Sequence, residues 1–188
     1  MTDAAAAVFR RLGYHRARMD DVAAALGITK SSLYHYVGTK EELLYRILLP
    51  PYRGALEHLL EVAATDAPAP ERLARVVERH VRNTVEHYPA ISIYLSASRD
   101  TPVPEEMRAL DHAYTAGLKR IMVDGMREGS LAVHDPAIAV MAVLGMCNWF
   151  ATTYEPAAGW DPDEVAATFA ATCLHGLAVA QAQGAADV

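Results

Sequence analysis

Short polar and basic side chains are concentrated in one segment, Lys30–Tyr36, which reads Lys-Ser-Ser-Leu-Tyr-His-Tyr. A helix over this segment buries Leu33 and leaves the polar side chains on its outer face. Hydroxyls and a lysine near the start of such a helix can reach base edges in the major groove of DNA, and flanking groups can contact phosphates. The side chains predicted to contact DNA are Arg18, Thr29, Lys30, Ser31, Ser32, Tyr34, His35, Tyr36 and Lys40.

The elements around this segment have the pattern of a helix-turn-helix. Asp20–Leu26 has apolar positions at helical spacing and is followed by Gly27, which can end a helix. Thr29 is placed to cap the second helix, and Thr39 with Glu42 forms a capping box that opens a further helix. Two helices joined by a short glycine-containing turn form the unit that inserts its second helix into a major groove.

A wider set of residues around this motif carries a family resemblance. The set is Phe9, Gly13-Tyr14, Val22-Ala23, Gly27-Ile28-Thr29, Leu33-Tyr34-His35-Tyr36-Val37 and Lys40-Glu41-Glu42-Leu43. In this order and without gaps, it resembles the TetR family of transcriptional repressors. The resemblance implies an all-α, nine-helix subunit that forms a homodimer. It also implies a DNA-binding domain over residues 1–46 and a ligand-binding and dimerisation domain over residues 47–188.

Composition and charge limit the other possibilities. The chain has 188 residues, is 52% hydrophobic and carries a net charge of −6, which excludes a disordered chain and a uniformly basic nucleic-acid binder. Residues 1–50 carry +2 and residues 51–188 carry −8, a distribution that suits a DNA-binding head on an acidic body. The two cysteines, Cys147 and Cys173, exclude a disulfide framework and are expected to be buried, inert thiols.

We expect no metal site, no cofactor and no enzyme active site. The eight histidines show no close metal-ligand spacing. His80 lies on an apolar helix face, where a core histidine with satisfied nitrogens is favoured over a ligand contact or a metal ligand. The sequence also lacks Gly-x-Ser-x-Gly, Gly-x-Gly-x-x-Gly and His-Glu-x-x-His.

The rest of the chain shows helical spacing, and no stretch alternates as a strand would. Pro50-Pro51 are expected to break or kink the fourth helix, because two prolines remove two backbone donors. Asp135-Pro136 and Asp161-Pro162 open the last two long helices, the final one extending to about Gln183.

Methionine and aromatic side chains are abundant after the first fifty residues. They suit an adaptable apolar cavity, although for any single residue ordinary core packing is the alternative. The residues predicted to line a ligand site are Tyr94, Met107, Tyr114, Leu118, Met122, Met146, Trp149 and Phe150.

A second resemblance concerns the C-terminal half. Its residues are Gly145, Asn148-Trp149, Tyr154-Glu155-Pro156, Gly159 and Gly176-Leu177. They resemble a TetR subgroup that commonly regulates fatty-acid, steroid or related acyl-CoA metabolism. The resemblance implies a small apolar ligand, with an acyl-CoA thioester as the candidate.

The last two helices are rich in small residues that allow close helix approach, which predicts a homodimer interface there, with packing inside one chain as the alternative. Ala137–Tyr154 carries no charge but is expected to be a helix buried on all sides, not a membrane span.

The leading hypothesis from these patterns is a cytoplasmic, ligand-responsive repressor that binds a palindromic DNA operator. A helical ligand carrier without DNA binding is the rival, and an enzyme in the helical body has no motif behind it. The small residues of the last two helices, on which the predicted homodimer interface depends, are Ala137, Ala139, Ala142, Gly145, Ala166, Ala167, Ala170, Ala171 and Ala178.

Overall fold

The computed structural model of the chain describes residues 1–96 and 103–177. Within them the backbone forms α-helices, a short 3-10 turn over Pro156–Ala158 and no strand element, so the all-α prediction is confirmed. The predicted continuation of the last helix to Gln183, with Ala178, lies outside the described residues. The helices are α1 (Thr2–Leu12), α2 (Met19–Leu26), α3 (Lys30–Tyr36), α4 (Lys40–Ala63), α5 (Ala69–Glu86), α6 (Ala90–Ser96), α7 (Glu105–Glu128), α8 (Pro136–Thr153) and α9 (Pro162–Leu177).

The first three helices and the start of α4 enclose a small core, here called the head core. Phe9 from α1, Val22 from α2, Leu33 from α3 and Leu43 from α4 are almost completely buried in it. Gly27 ends α2 with φ near +66°, a left-handed conformation that glycine adopts without strain. The chain then turns directly into α3, which gives the predicted helix-turn-helix.

α4 connects the head core to the rest of the molecule as one continuous helix. Its residue Leu43 lies in the head core, Leu48 in a second cluster, and Leu59 in the large core of the body. Of the two expectations at Pro50 and Pro51, the break is wrong, because α4 runs without interruption through both residues, and the kink stays a prediction. Neither proline can donate to the carbonyl four residues earlier, but the helix is packed against neighbours on both sides of the pair.

The body core lies around α5, which packs along α9 and against α4, α7 and α8. Leu73 and Val81 of α5 are fully buried there. The buried guanidinium of Arg72 at the start of α5 pairs with Asp124 at 2.9 Å and Glu128 at 3.1 Å, both on α7. α5 and α7 are thus joined by charge as well as by apolar contact.

α8 is buried on one face only. Val143 and Phe150 belong to the body core, whereas Ile138, Met141 and Trp149 are 60%, 68% and 70% exposed. The expectation of a helix buried on all sides is therefore wrong for the single subunit. Among the described residues, α8 is the one helix long and apolar enough to cross a membrane by length and composition. The same features also fit a helix with a core face and an interface face, so length and composition are weak evidence for a span.

Gly117 of α7 sets how closely α7 approaches α4. A Cβ atom at position 117 would lie 2.1 Å from Cδ2 of Leu59, which is fully buried. Gly117→Ala is therefore expected to lower the free energy of unfolding by about 1–3 kcal/mol, because the two helices must separate or Leu59 must repack. Urea denaturation measures the difference.

Gly54→Ala is the matched control for this change. Gly54 also lies inside a helix, α4, but in the described part of the chain no atom beyond its neighbours and the backbone of its own helix would lie within 4 Å of a Cβ at this position. Its replacement is expected to raise stability by about 0.5–1 kcal/mol, because alanine loses less backbone entropy on folding. Similar losses in the two variants would contradict the close approach at Gly117.

Candidate nucleic-acid interface and ligand cavity

The outer face of α3 is supported by a single buried residue, Leu33. Tyr34 and Tyr36 are 43% and 61% exposed, which confirms the predicted exposure of Tyr34. Ser31 and His35 are exposed on the same short helix. α3 thus presents a hydroxyl, an imidazole and two phenols outward, side-chain types that can contact a DNA groove and its flanking phosphates.

Thr29 and Ser32 organise the start of α3. Oγ1 of Thr29 accepts a hydrogen bond from the backbone N of Ser32 at 3.1 Å and lies 2.9 Å from Oγ of Ser32. This geometry confirms Thr29 as the N-cap. The two hydroxyls are therefore engaged with each other, and they fix the position from which the neighbouring Ser31 extends.

Two basic side chains flank α3 at the protein surface. Nζ of Lys30 lies 3.0 Å from Oδ1 of Asp20, and both side chains are more than half exposed. Such a pair contributes little stability, and a phosphate can take the place of the carboxylate. Arg18 is exposed at the start of α2, where its backbone N donates to Oδ2 of Asp21 at 2.7 Å. The carboxylate of Asp21 thus helps to cap α2, and the Arg18 guanidinium is left at the surface.

Lys40 is held against the protein. Its Nζ donates to the carbonyl of Ala17 at 2.8 Å and lies 4.2 Å from the centre of the Tyr14 ring. Partial burial lowers the pKa of Lys40. The ammonium ties the start of α4 to the loop between α1 and α2, which is a structural role, and the predicted contact of Lys40 with DNA stays a prediction.

A cavity of about 380 Å³ lies in the body between α4, α5, α6, α7 and α8, a volume typical of small-molecule sites. Its wall combines tyrosine rings with polar side chains, and the described lining residues include neither lysine nor arginine. These residues are Tyr45, Tyr52, Ala55, His80, Asn83, Thr84, Ile91, Tyr94, Leu95, Val103, Leu110, Asp111, Tyr114, Thr115, Leu144 and Asn148.

One part of the wall carries a carboxylate. The hydroxyl of Tyr94 donates to Oδ2 of Asp111 at 2.9 Å, and burial raises the pKa of both groups. The Tyr94 ring also meets Tyr45 and Tyr52 edge to face, with centroids 6.1 Å and 5.6 Å away. These contacts fix the orientation of Tyr94, so a ligand meets aromatic surface next to a strong hydrogen-bond acceptor.

Another part of the wall is a polar cluster around His80. Nδ1 of His80 lies 3.2 Å from the Tyr114 hydroxyl, and Nε2 lies 3.3 Å from Oδ1 of Asn148. Burial lowers the pKa of His80, so its ring is neutral near pH 7. The neutral ring donates a hydrogen bond from Nε2 to Oδ1 of Asn148, and its Nδ1 accepts a hydrogen bond from the Tyr114 hydroxyl. Both nitrogens are satisfied, as expected for a core histidine, and the ring also faces the cavity.

Two family models match this chain. Residues 1–47 match the model of bacterial regulatory proteins of the tetR family, and residues 66–177 match that of the tetracyclin repressor-like C-terminal domain. The chain belongs to the tetR family. This result confirms the predicted DNA-binding regulator, with its helix-turn-helix in the region of the first match.

The relatives of this tetR-family chain span nearly its whole length. The HTH-type transcriptional repressor KstR2 of Rhodococcus jostii is 25% identical over 186 residues, which cover 95% of this chain and 89% of KstR2. PfmR of Thermus thermophilus has a TM-score of 0.80 and 32% identity, covering 93% and 96% of the two chains. FadR of Bacillus subtilis in complex with stearoyl-CoA has a TM-score of 0.76 and 20% identity over 93% and 96%, a likeness that shows the fold alone.

The cavity of this tetR-family chain differs in its lining from the predicted ligand site. Tyr94 and Tyr114 do line it. The other predicted residues lie elsewhere, because an apolar stripe facing a packed core and one facing a cavity have the same spacing in sequence. Met107, Leu118, Met122 and Phe150 are buried in the cores, Met146 packs half-buried against the body core, and Trp149 is on the surface.

The polar part of the wall was missed in the sequence prediction. Asn83, Asp111 and Asn148 all line the cavity. Asn83 lies three residues after His80, so the two share one helix face. Two polar side chains on an otherwise apolar face were the signal that could have located this wall, because buried polar groups need partners.

Cys147 and Cys173 are buried, as expected. Burial raises the pKa of these thiols to about 12 and about 11, which leaves them protonated and unreactive at neutral pH. Among the described residues, no group of histidine, cysteine and acidic side chains is arranged to hold a metal ion.

Lys40→Met and Lys30→Met are expected to have different effects. Lys40→Met should lower the free energy of unfolding by about 1–2 kcal/mol, because it leaves the Ala17 carbonyl without its donor. Lys30→Met should change the free energy of unfolding by less than about 1 kcal/mol. It should weaken operator binding, and the slope of log affinity against log salt should show about one ion fewer released on binding. Urea denaturation and salt-dependent anisotropy measure the two effects. Unchanged stability in Lys40→Met would assign Lys40 to the DNA instead.

The buried His80 predicts a dependence of stability on pH. The folded protein keeps His80 neutral, whereas the unfolded chain protonates it below its ordinary pKa of 6.5. The free energy of unfolding should therefore fall as the pH drops from about 7.5 to about 5.5, and fall less in His80→Gln. His87, whose pKa burial also lowers, accounts for part of the remaining slope. Parallel curves for the wild type and the variant would contradict this assignment.

Proposed function

We propose that this protein is a homodimeric transcriptional repressor that binds a palindromic operator and is released from it by a small, largely apolar effector. The supporting observation is the exposed polar face of α3, which one buried residue, Leu33, fixes to the head core. The relative KstR2 is named a transcriptional repressor. The proposal places the protein in the cytoplasm, with the DNA, and keeps the boundary between the two functional domains near residue 46.

In this proposal, the side chains of α3 divide into two roles. Ser31, Tyr34 and His35 face the groove, where direct contacts to base edges supply specificity. Lys30 exchanges its partner Asp20 for a phosphate, which supplies affinity and salt dependence. Arg18 and Tyr36 contact phosphates beside them, while Thr29 and Ser32 hold the start of the helix.

The dimer is proposed to form through α8 and α9. Ile138, Met141 and Trp149 make an exposed apolar face on α8, and contiguous exposed apolar surface of this kind marks interaction sites. On α9, Ala167 and Ala171 are exposed and small enough for a second helix to approach closely. Of the other small residues predicted for this interface, Ala139, Ala166 and Ala170 are buried inside the subunit. Ala137, Ala142 and Gly145 are exposed at its surface.

The effector is proposed to be an acyl-CoA thioester whose acyl group enters the cavity. FadR of Bacillus subtilis, which shares the fold, was solved with stearoyl-CoA. The tyrosine and leucine part of the wall suits an acyl chain. Because the described lining offers no lysine or arginine, the phosphates of the CoA moiety are placed outside the cavity.

α4 is proposed to transmit effector binding to the DNA. Tyr45 and Tyr52 of α4 line the cavity, and Leu43 of the same helix is part of the head core. We propose that α4 bends at Pro50 and Pro51 when the effector binds, because neither proline can donate a backbone hydrogen bond there. The effector shifts the equilibrium only if it binds the arrangement that does not fit DNA more tightly than the one that does.

The proposal is tested by fluorescence anisotropy of the pure protein with DNA from upstream of its own gene. Specific binding is expected, weakening steeply as salt rises. Long-chain acyl-CoA should release the DNA, and free CoA, which lacks the acyl group, is the matched control. Light scattering at micromolar concentration should give the mass of a dimer.

Each outcome bears on one part of the proposal. Specific DNA binding that thioesters do not affect would support the proposed repressor and contradict a thioester as its effector. No specific binding at any salt concentration would favour the helical ligand carrier. A monomer at micromolar concentration would overturn the assignment of the α8 and α9 surface.

A further inference from the structure

Asp111 of α7 is a carboxylate in the cavity wall that has no basic partner among the described residues. It lines the cavity and is partly exposed, and the hydroxyl of Tyr94 donates to its Oδ2 at 2.9 Å. The other acidic side chains of α7 all pair with an arginine: Glu105 with Arg108, Glu106 with Arg53, and Asp124 and Glu128 with Arg72. Asp111 differs from them because its partner is a neutral hydroxyl, which leaves the negative charge in place.

The hydrogen bond from Tyr94 favours the charged form of Asp111. Burial raises the pKa of Asp111, whereas the Tyr94 hydroxyl and the neighbouring His112 lower it. A hydroxyl that donates to a carboxylate stabilises the charge without cancelling it. The α7 part of the wall thus presents a carboxylate to whatever enters the cavity.

The charge of Asp111 already acts on other groups in the wall. Burial raises the pKa of Tyr52 on α4 and of Tyr94 on α6, and the negative charge of Asp111 raises the pKa of each further. An ionised phenol would be an anion in the cavity wall, so the site disfavours a second negative charge. The described lining offers no lysine or arginine to offset it, and His80 is neutral.

We propose that Asp111 excludes negatively charged groups from the cavity, which restricts the effector to thioesters with an uncharged acyl group and rejects those whose acyl chain ends in a carboxylate. Like charges repel strongly where little water screens them. An uncharged chain meets the tyrosine and leucine surface of the wall and leaves the Tyr94–Asp111 hydrogen bond intact. This inference rests on the proposed function, since it names the acyl groups that the same cavity accepts.

Isothermal titration of the full chain with three matched thioesters tests the inference. They are decanoyl-CoA and two analogues in which a carboxamide or a carboxylate replaces the terminal methyl group. The two analogues have nearly the same shape and differ by one charge, so their ratio separates charge from polarity. The carboxylate compound is expected to bind about ten- to a hundredfold more weakly than the carboxamide compound.

Two variants assign the effect to Asp111. Asp111→Asn removes the charge but keeps a side-chain oxygen that can accept from Tyr94, and it is expected to bring the two analogues to within about twofold of each other. Glu105→Gln removes one negative charge from the exposed start of the same helix, outside the cavity lining. It is expected to keep the full ratio, because solvent screens an exposed charge. Operator binding without ligand checks that both variants fold.

The outcomes separate this inference from the function on which it rests. If no thioester binds, the proposed effector class fails and the inference fails with it. If decanoyl-CoA binds and the two analogues bind equally tightly or equally weakly, the thioester effector stands and the exclusion of anions is wrong. A ratio that survives Asp111→Asn or disappears in Glu105→Gln overturns the assignment to Asp111.

Discussion

The packing of α4 into three separate cores is the constraint on which the rest of the structure depends. Leu43, Leu48 and Leu59 are each fully buried, one in the head core, one in the second cluster and one in the body core. A helix anchored in this way cannot move at one point without disturbing packing at another. The absence of a side chain at Gly117 brings α7 against this helix at the level of Leu59, so the body fixes its far end.

The links between the head core and the start of α4 are polar as well as apolar. Lys40 joins α4 to the Ala17 carbonyl and the Tyr14 ring, in the loop between α1 and α2. Glu42 accepts a hydrogen bond from the backbone N of Gly38 at 2.8 Å, which fixes the short turn after α3. These contacts and the Thr29 cap join α3 and the start of α4 to the same small core.

Local signals predicted the helices well, and long-range packing decided where the predictions failed. Thr29, Thr39 and Asp135 cap their helices as their sequence positions indicated, because a cap is a contact between near neighbours. The continuous helix at Pro50 and the exposure of Trp149 depend instead on which neighbours pack against α4 and α8. The cavity lining was the least predictable part, since the sequence does not show where a packed core ends and an open space begins.

The exposed apolar face of α8 affects how the concentration of the protein in the cell relates to the amount of dimer that can bind DNA. If two subunits must join before both copies of α3 can contact an operator, the amount of DNA-competent protein grows with the square of the subunit concentration below the dissociation constant of the dimer. In a cell where the subunit concentration lies below that constant, doubling the number of protein copies would then quadruple the amount of dimer that can bind DNA. The surface of Ile138, Met141 and Trp149 would thus determine the copy number at which the regulated promoter shuts down.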